Sequence, residues 1–211
     1  MRREMRMLRK IIVFTAVFLI FTSLIVFCPV VTQWDRSIII FLQDKLGFLP
    51  IQIFKLPDCI LYSIMIALPL IGFGVYFVTK KLYKDAVFLC SVPLVTYILN
   101  YILKHIMCRP RPPFELQIAG IHPDSYSYVS THSLVTFCLW GMVIWYLYKY
   151  CNNKSWRIIG ISISVLWILF VGLSRVMAGV HNPTDVLGAY LLGIVLLICF
   201  FDLRNYLIKT S

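Results

Sequence analysis

The residues with the most chemical potential lie in one short stretch, Ser174-Arg175-Val176-Met177-Ala178-Gly179-Val180-His181-Asn182-Pro183-Thr184-Asp185. A cation, an imidazole and a carboxylate stand there between two long apolar runs. A charged side chain at membrane depth costs ~2.5–3.5 kcal/mol on insertion scales, so groups of this kind are seldom incidental. Asn182 has the character of a helix cap, with Pro183 at the first helical position and Asp185 in the first turn. Asp185 follows His181 by one helical turn, a spacing that lets the carboxylate hold one ring nitrogen and leaves the other free to act as a nucleophile. The plainer reading of these residues is a polar interhelical loop leading into a capped helix.

Two further stretches carry polar groups of the same kind. One is Lys104-His105-Ile106-Met107-Cys108-Arg109-Pro110-Arg111-Pro112, and the other is Ser125-Tyr126-Ser127-Tyr128-Val129-Ser130-Thr131-His132. Taken singly, Lys104, Arg109 and Arg111 read as a snorkelling basic rim. Ser130 and His132 read as an N-cap and a satisfied polar residue, and His105 as a packed or interfacial one. Taken together, Lys104, Arg111, Arg175, His132, His181 and a helix N-terminus on one face suit a phosphate dianion. Arg supplies forked contacts, Lys a point charge, and the helix start its backbone N–H groups.

The elements that must position them are membrane helices. The chain has 211 residues, is 60% hydrophobic and has a mean hydropathy of +0.85, far above a soluble globular domain. Uncharged runs recur at Ile11–Trp34, Cys59–Thr79, Ala86–Leu103, Ser133–Tyr148, Ile158–Leu173 and Val186–Phe201. The first two exceed the ~20 residues that span a bilayer core, and the other four are slightly short. Those four are flanked by Lys104, His132, Arg175 and Asp185, so their spans are completed only by bringing these groups to the membrane surface. The expected fold is all-α, a polytopic membrane protein with six transmembrane helices in one bundle and a single domain over 1–211. No internal repeat, low-complexity tract or linker divides it.

Basic residues set the orientation. Those in Met1–Lys10, Lys80–Lys84, Lys149–Arg157 and Arg204–Lys209 put both termini in the cytoplasm and the polar cluster on the extracytoplasmic face of the plasma (inner) membrane. The formal charge of +11 is then mainly a topology signal, with attraction to anionic lipid second, and nothing calls for nucleic acid. Ile11–Val31 reads as an uncleaved first helix, too long for a signal peptide. Thr32–Lys55 reads as a partly helical segment lying along the outer interface. Pro69, Gly72, Gly74 and Pro93 mark kinks or close packing within spans. The seven cysteines include no Cys-x-x-Cys pair, although Cys28, Cys59 and Cys108 near the outer face leave a disulfide open. The four histidines form no zinc pattern, so neither a metal nor another cofactor is expected.

The three stretches together, Lys104-x6-Arg111-Pro112, Ser130-x-His132 and Ser174-Arg175-x5-His181-x3-Asp185, resemble the three-part signature of the type 2 phosphatidic acid phosphatase superfamily. The resemblance covers somewhat under half the chain, in the family's order and at the ends of the third to sixth helices. The middle part departs from it. The family usually has Pro-Ser-Gly-His, whereas this chain has Val129-Ser130-Thr131-His132. Thr131 adds a Cβ where glycine would let the backbone approach phosphate most freely, which bears on substrate fit.

The resemblance implies metal-independent hydrolysis of a lipid phosphate through a phosphohistidine. His181 is the implied nucleophile, Asp185 its orienting carboxylate and His132 the acid at the leaving oxygen. Lys104, Arg111 and Arg175 are the implied clamp on the phosphoryl oxygens, with Ser130 and the amide of Thr131 as further donors. Arg109 falls outside the matched spacing and receives no role. Members of the family act on isoprenoid diphosphates, phosphatidate, phosphatidylglycerophosphate and lipid A phosphates, and Pro113–Tyr128 (with Glu115, His122 and Asp124) is the expected head-group selector. Two alternatives share these residues: a lipid phosphotransferase using the same nucleophile, and a non-catalytic head-group binder or transporter.

Overall fold

The computed structural model describes residues 2–49, 51–55, 60–117 and 123–209. Its elements are α1 (Arg2–Phe27), α2 (Pro29–Leu46), α3 (Ile51–Lys55), α4 (Ile60–Thr79), α5 (Tyr83–Met107), a 3-10 turn (Phe114–Leu116), α6 (Thr131–Tyr150), α7 (Lys154–Met177) and α8 (Pro183–Lys209). No strand occurs among the described residues.

The first helix differs from the expected Ile11–Val31. It is already helical through its basic N-terminal residues and stops at Phe27, because Pro29 lacks an amide donor and disfavours helix in the residue before it. Cys28 is accordingly extended, at φ −110° and ψ 103°, and Pro29 opens α2. The interfacial segment is then a continuous 18-residue helix followed by the short α3, more ordered than the partly helical stretch expected. Pro69 and Pro93 sit inside α4 and α5 without ending them.

Among the described residues, five helices, α1, α4, α5, α7 and α8, are long and apolar enough to cross a membrane. Their outward faces are apolar: Ile71, Val87 and Leu166 are each at least 65% exposed. Such contiguous apolar exposure is expected where the solvent is lipid. The sixth expected span, α6, differs in kind. It packs between α5, α7 and α8 and buries Leu134, Cys138, Leu139, Met142 and Tyr146. A polar first turn and four tyrosines and tryptophans in its last two turns dilute its apolar run, which neighbouring helices permit by shielding it.

Polar contacts lock the two ends of the bundle. Asp85 opens α5 and Lys104 closes it, ~28 Å apart at 1.5 Å per residue. At the Asp85 end, Arg204 of α8 grips the carboxylate with Nε at 2.7 Å and Nη2 at 2.9 Å. Tyr146 and Tyr150 of α6 donate to the same carboxylate at 3.2 and 3.1 Å, and the guanidinium lies over the Trp145 ring at 4.6 Å. Removing one partner strands a buried charge, which costs ~3–5 kcal/mol. Asp85→Ala is expected to lower the melting temperature in detergent markedly; an unchanged melting curve would show that the pair does not hold α5, α6 and α8 together.

Candidate active site

The turn from α7 into α8 is built by backbone. Val180 N and His181 N both donate to the carbonyl of Arg175, at 3.2 and 3.3 Å. Gly179 has φ +71°, and a Cβ there would stand 1.9 Å from the carbonyl oxygen of Leu116, so both conformation and space require glycine. The Asp185 carboxylate reaches back to accept from Asn182 N at 2.8 Å, and Asp185 N donates to Asn182 O at 3.0 Å. Asp185 thus caps its own helix while pointing at His181.

His181 is buried, and the surroundings of its two nitrogens define its tautomer. Nδ1 stands 3.4 Å from Ser127 Oγ and 3.6 Å from Asp185 Oδ2. The Ser127 hydroxyl donates in turn to Asp185 Oδ2 in a short contact. Ser127 therefore bridges a contact too long for a direct hydrogen bond. Nε2 faces Arg111 Nη1 at 3.3 Å. A guanidinium cannot accept a hydrogen bond, so Nε2 carries the lone pair and Nδ1 the proton. Burial pushes the imidazole pKa down from 6.5 to about 3, against the pull of Asp185; the charges of Arg111 and Lys104 also lower it. The ring is neutral at physiological pH.

The other residues of the three stretches assemble around this pair to different degrees. Arg111 also donates to Val180 O at 2.5 Å and to Ser125 through Nε and Nη2 at 2.7 and 2.9 Å. Lys104 is buried, with Nζ 2.6 Å from Tyr126 O. Arg175 is buried; its Nε meets Ser174 Oγ at 3.3 Å and its Nη2 meets Phe54 O of α3 at 3.4 Å. Ser130 caps α6 by accepting from Ser133 N at 3.5 Å, and its own N–H donates to Asp185 O at 3.3 Å. That bond brings the start of α6, and with it His132, to the start of α8. The His132 ring lies 4.6 Å from that of Tyr62 on α4. The Thr131 hydroxyl is turned to α5, accepting from Asn100 Nδ2 at 2.7 Å. His105 stays at the exposed rim, its ring tilted against that of Tyr101.

Three residues join the site that the sequence reading left out: Ser127, Arg109 and Asp35. Arg109 is buried, with Nη1 on Asp185 Oδ1 and Nη2 on Asp35 Oδ2 at 2.8 Å. Asp35, on α2, also accepts from Thr184 N and Oγ1 at 3.0 and 2.6 Å. A cleft of about 460 Å³ lined by Thr32, Arg36, Ile39, Arg111, Pro112 and Asn182 opens beside this group. A second, of about 380 Å³, is lined by Tyr97, Tyr101, Lys104, Tyr126 and Thr131. Of the three outer cysteines, Cys28 and Cys108 are free thiols; Cys59, and His122 of the expected head-group selector, lie outside the described residues. Among the described residues no group of three or more His, Cys, Asp or Glu side chains is placed to hold a metal ion.

Apolar helices with a polar cluster at one end, carrying a buried histidine amid basic side chains, describe a multi-pass membrane protein. The chain belongs to the PAP2 superfamily, whose family model matches residues 85–209. It is 34% identical over 139 residues to phosphatidylglycerophosphatase B of Bacillus subtilis (strain 168), covering 65% of this chain and 64% of that protein. It is 30% identical over 112 residues to sphingosine-1-phosphate phosphatase 1 of Mus musculus, covering 52% of this chain and 25% of that protein. The matched stretches thus span less than two thirds of either relative. The fold is similar to the crystal structure of a transmembrane PAP2 type phosphatidylglycerolphosphate phosphatase from Bacillus subtilis, with a TM-score of 0.73, 25% identity, and coverage of 93% of this chain and 96% of that one.

The depressed pKa of His181 has a consequence for stability. Between about 3 and 6.5 the unfolded chain binds a proton at this residue and the folded protein does not, so stability rises with pH across that window and is lost as pH falls through it. His181→Gln is expected to flatten the melting temperature against pH between those limits. A slope equal to that of the unsubstituted protein would show that His181 is not buried as a neutral ring.

Proposed function

We propose that residues 1–211 work as a single membrane-embedded phosphatase domain that hydrolyses a lipid phosphate through a phosphohistidine. The observation that carries this reading is the arrangement about His181, with Nδ1 against Ser127 and Asp185 and the Nε2 lone pair facing a guanidinium. Arg111 rests against Nε2, so substrate enters by inserting its phosphoryl group between the two. Nε2 attacks phosphorus in line, a P–N bond forms, and the bond from phosphorus to the lipid oxygen breaks. His132 gives its proton to that oxygen. Asp185 stabilises the positive charge that develops on the imidazole.

Lys104, Arg111 and Arg175 hold the equatorial oxygens as charge shifts in the transition state, assisted by Ser130 and the amide of Thr131. Water, giving a proton to His132, then attacks the phosphohistidine; the P–N bond breaks and inorganic phosphate leaves. Positive side chains do the electrostatic work in this scheme, so it runs in chelator.

The substrate we favour is phosphatidylglycerophosphate, the lipid named in the Bacillus relative and in the similar crystal structure. The larger cleft supports the choice, because Arg36 and Arg111 both line it and so offer cations to two phosphates of one lipid. In detergent and EDTA the protein is expected to release phosphate from this lipid with a higher kcat/KM than from phosphatidate or an isoprenoid diphosphate. His181→Ala is expected to abolish release and His132→Ala to slow it by ~10²–10⁴-fold. Turnover by His181→Ala at the unsubstituted rate would remove the nucleophile, and a requirement for added metal would remove the metal-independent scheme.

We further propose that α6 counts as the sixth span, with both termini cytoplasmic and the His181 end outside. Cys151, at the far end of α6, is expected to resist a membrane-impermeant thiol reagent applied to intact cells and to react after permeabilisation. Labelling in intact cells would reverse the orientation.

A further inference from the structure

We propose that Asp35 and Arg109 are positioning residues for the nucleophile, Asp35 acting from α2 through Arg109 on Asp185; the inference rests on the phosphohistidine reading above. Asp35 is fully buried and Arg109 is 8% exposed, yet the phosphatase scheme gives neither a role. One guanidinium serves two carboxylates: Nη1 binds Asp185 Oδ1 and Nη2 binds Asp35 Oδ2. Thr184 ties the pair to the start of α8, its Oγ1 donating to Asp35 Oδ2 and accepting from Arg109 Nη1 at 2.9 Å. Asp35 Oδ1 takes the Thr184 N–H, so a carboxylate on α2 caps the helix that carries Asp185.

This arrangement fixes Asp185 in two respects. With Oδ1 pinned by Arg109, the carboxylate has one orientation, and Oδ2 is left for Ser127, Asn182 N and His181. Its charge is also preserved. A buried arginine devoted wholly to Asp185 would cancel the field that must stabilise the phosphoimidazolium; sharing that arginine with a second carboxylate leaves the group net negative. The delivering helix is built for the purpose. Asp35, Ile39 and Gln43 are spaced one turn apart and form a single stripe. Ile39 is fully buried, and Gln43 Nε2 donates to Leu116 O at 2.9 Å and Met177 O at 3.1 Å. The stripe therefore clips α2 to the end of α7, the 3-10 turn and the start of α8 together.

A docking role alone would move stability and leave the kcat of the folded protein unchanged, whereas a positioning role lowers kcat. Asp35→Asn removes the charge at nearly constant size, and its amide nitrogen no longer accepts from Thr184 Oγ1 or Arg109 Nη2. It is expected to lower kcat ~10–100-fold, the size of effect that outer-shell partners of functional histidines have at metal sites, with KM changed less than threefold in protein that remains folded. Arg109→Gln, which leaves two buried carboxylates facing each other, is expected to lose more. Adding Asp35→Asn to it is expected to restore kcat at least ~10-fold, because coupled residues are non-additive. Asp35→Asn at the unsubstituted kcat, or a double variant no more active than Arg109→Gln, would overturn the proposal. Should Asp35→Asn unfold, the comparison of the double variant with Arg109→Gln decides alone. Failure of the phosphatase reading looks different: His181→Ala would then be as active as the unsubstituted protein, whatever residue 35 does.

Discussion

The carboxylate of Asp185 is the charge on which the polar end of the molecule depends. It is fully buried, and an unpaired carboxylate in that position is costly enough to be avoided. Its partners come from four segments: Arg109 after α5, Ser127 before α6, Asn182 and His181 in the turn after α7, and through Arg109, Asp35 on α2. Arg109 and Ser127 stand at opposite ends of the connection between α5 and α6, the turn after α7 precedes Asp185 directly, and Asp35 is far from all of them in sequence. Satisfying one carboxylate therefore requires the loops after α5, before α6 and after α7 to converge, and the arrangement around His181 follows from that convergence.

Lipid weakens the usual argument for which helices pack together, since hydrocarbon tails solvate leucine as well as leucine does and association relies on packing and polar contacts. Here the polar contacts are sorted to places where they specify pairing. Asp85 and Arg204 join α5 to α8 at one end, with Tyr146 and Tyr150 adding α6. Asp35, Arg109 and Asp185 join α2 to the α5 loop and α8 at the other. Between them, Thr22 of α1 hydrogen-bonds Tyr128 at 2.7 Å, which attaches the first helix to the segment that leads into α6. Each pair joins elements distant in sequence.

What the sequence made legible was local. The spacing of His181 and Asp185 and the cap of Ser130 on α6 depend on close neighbours in the chain and are seen in the structure, whereas the first apolar run is cut at Cys28 into α1 and α2. The parts that escaped depend on faces. Asp35 stands beside Trp34 and Ile38, both exposed, so the outward face of α2 is apolar and the inward stripe is partly polar, the reverse of the pattern by which amphipathic helices are recognised. Arg109 is two residues from Arg111 and chemically identical to it. Only the turn at Cys108, left-handed at φ 47°, and the following prolines send one guanidinium inward to Asp185 and the other to the His181 ring. Ser127 lies among five other hydroxylated residues of the stretch from Ser125 to His132, with nothing local to single it out.

Thr131, where the family usually has glycine, shows how such a departure is absorbed. A bare Cβ at the first position of α6 would only narrow the approach to the helix N-terminus. With its hydroxyl accepting from Asn100, the side chain is instead turned toward α5, away from the Ser130 cap. Asn100 is itself buried and also meets Val129 O at 3.4 Å, so the pair fastens the start of α6 to α5 one turn below Lys104. Ser130 meanwhile accepts from Ser133 N, which caps the first turn of α6. A position where glycine would leave the backbone free is thereby held against α5, so the start of α6 has one conformation.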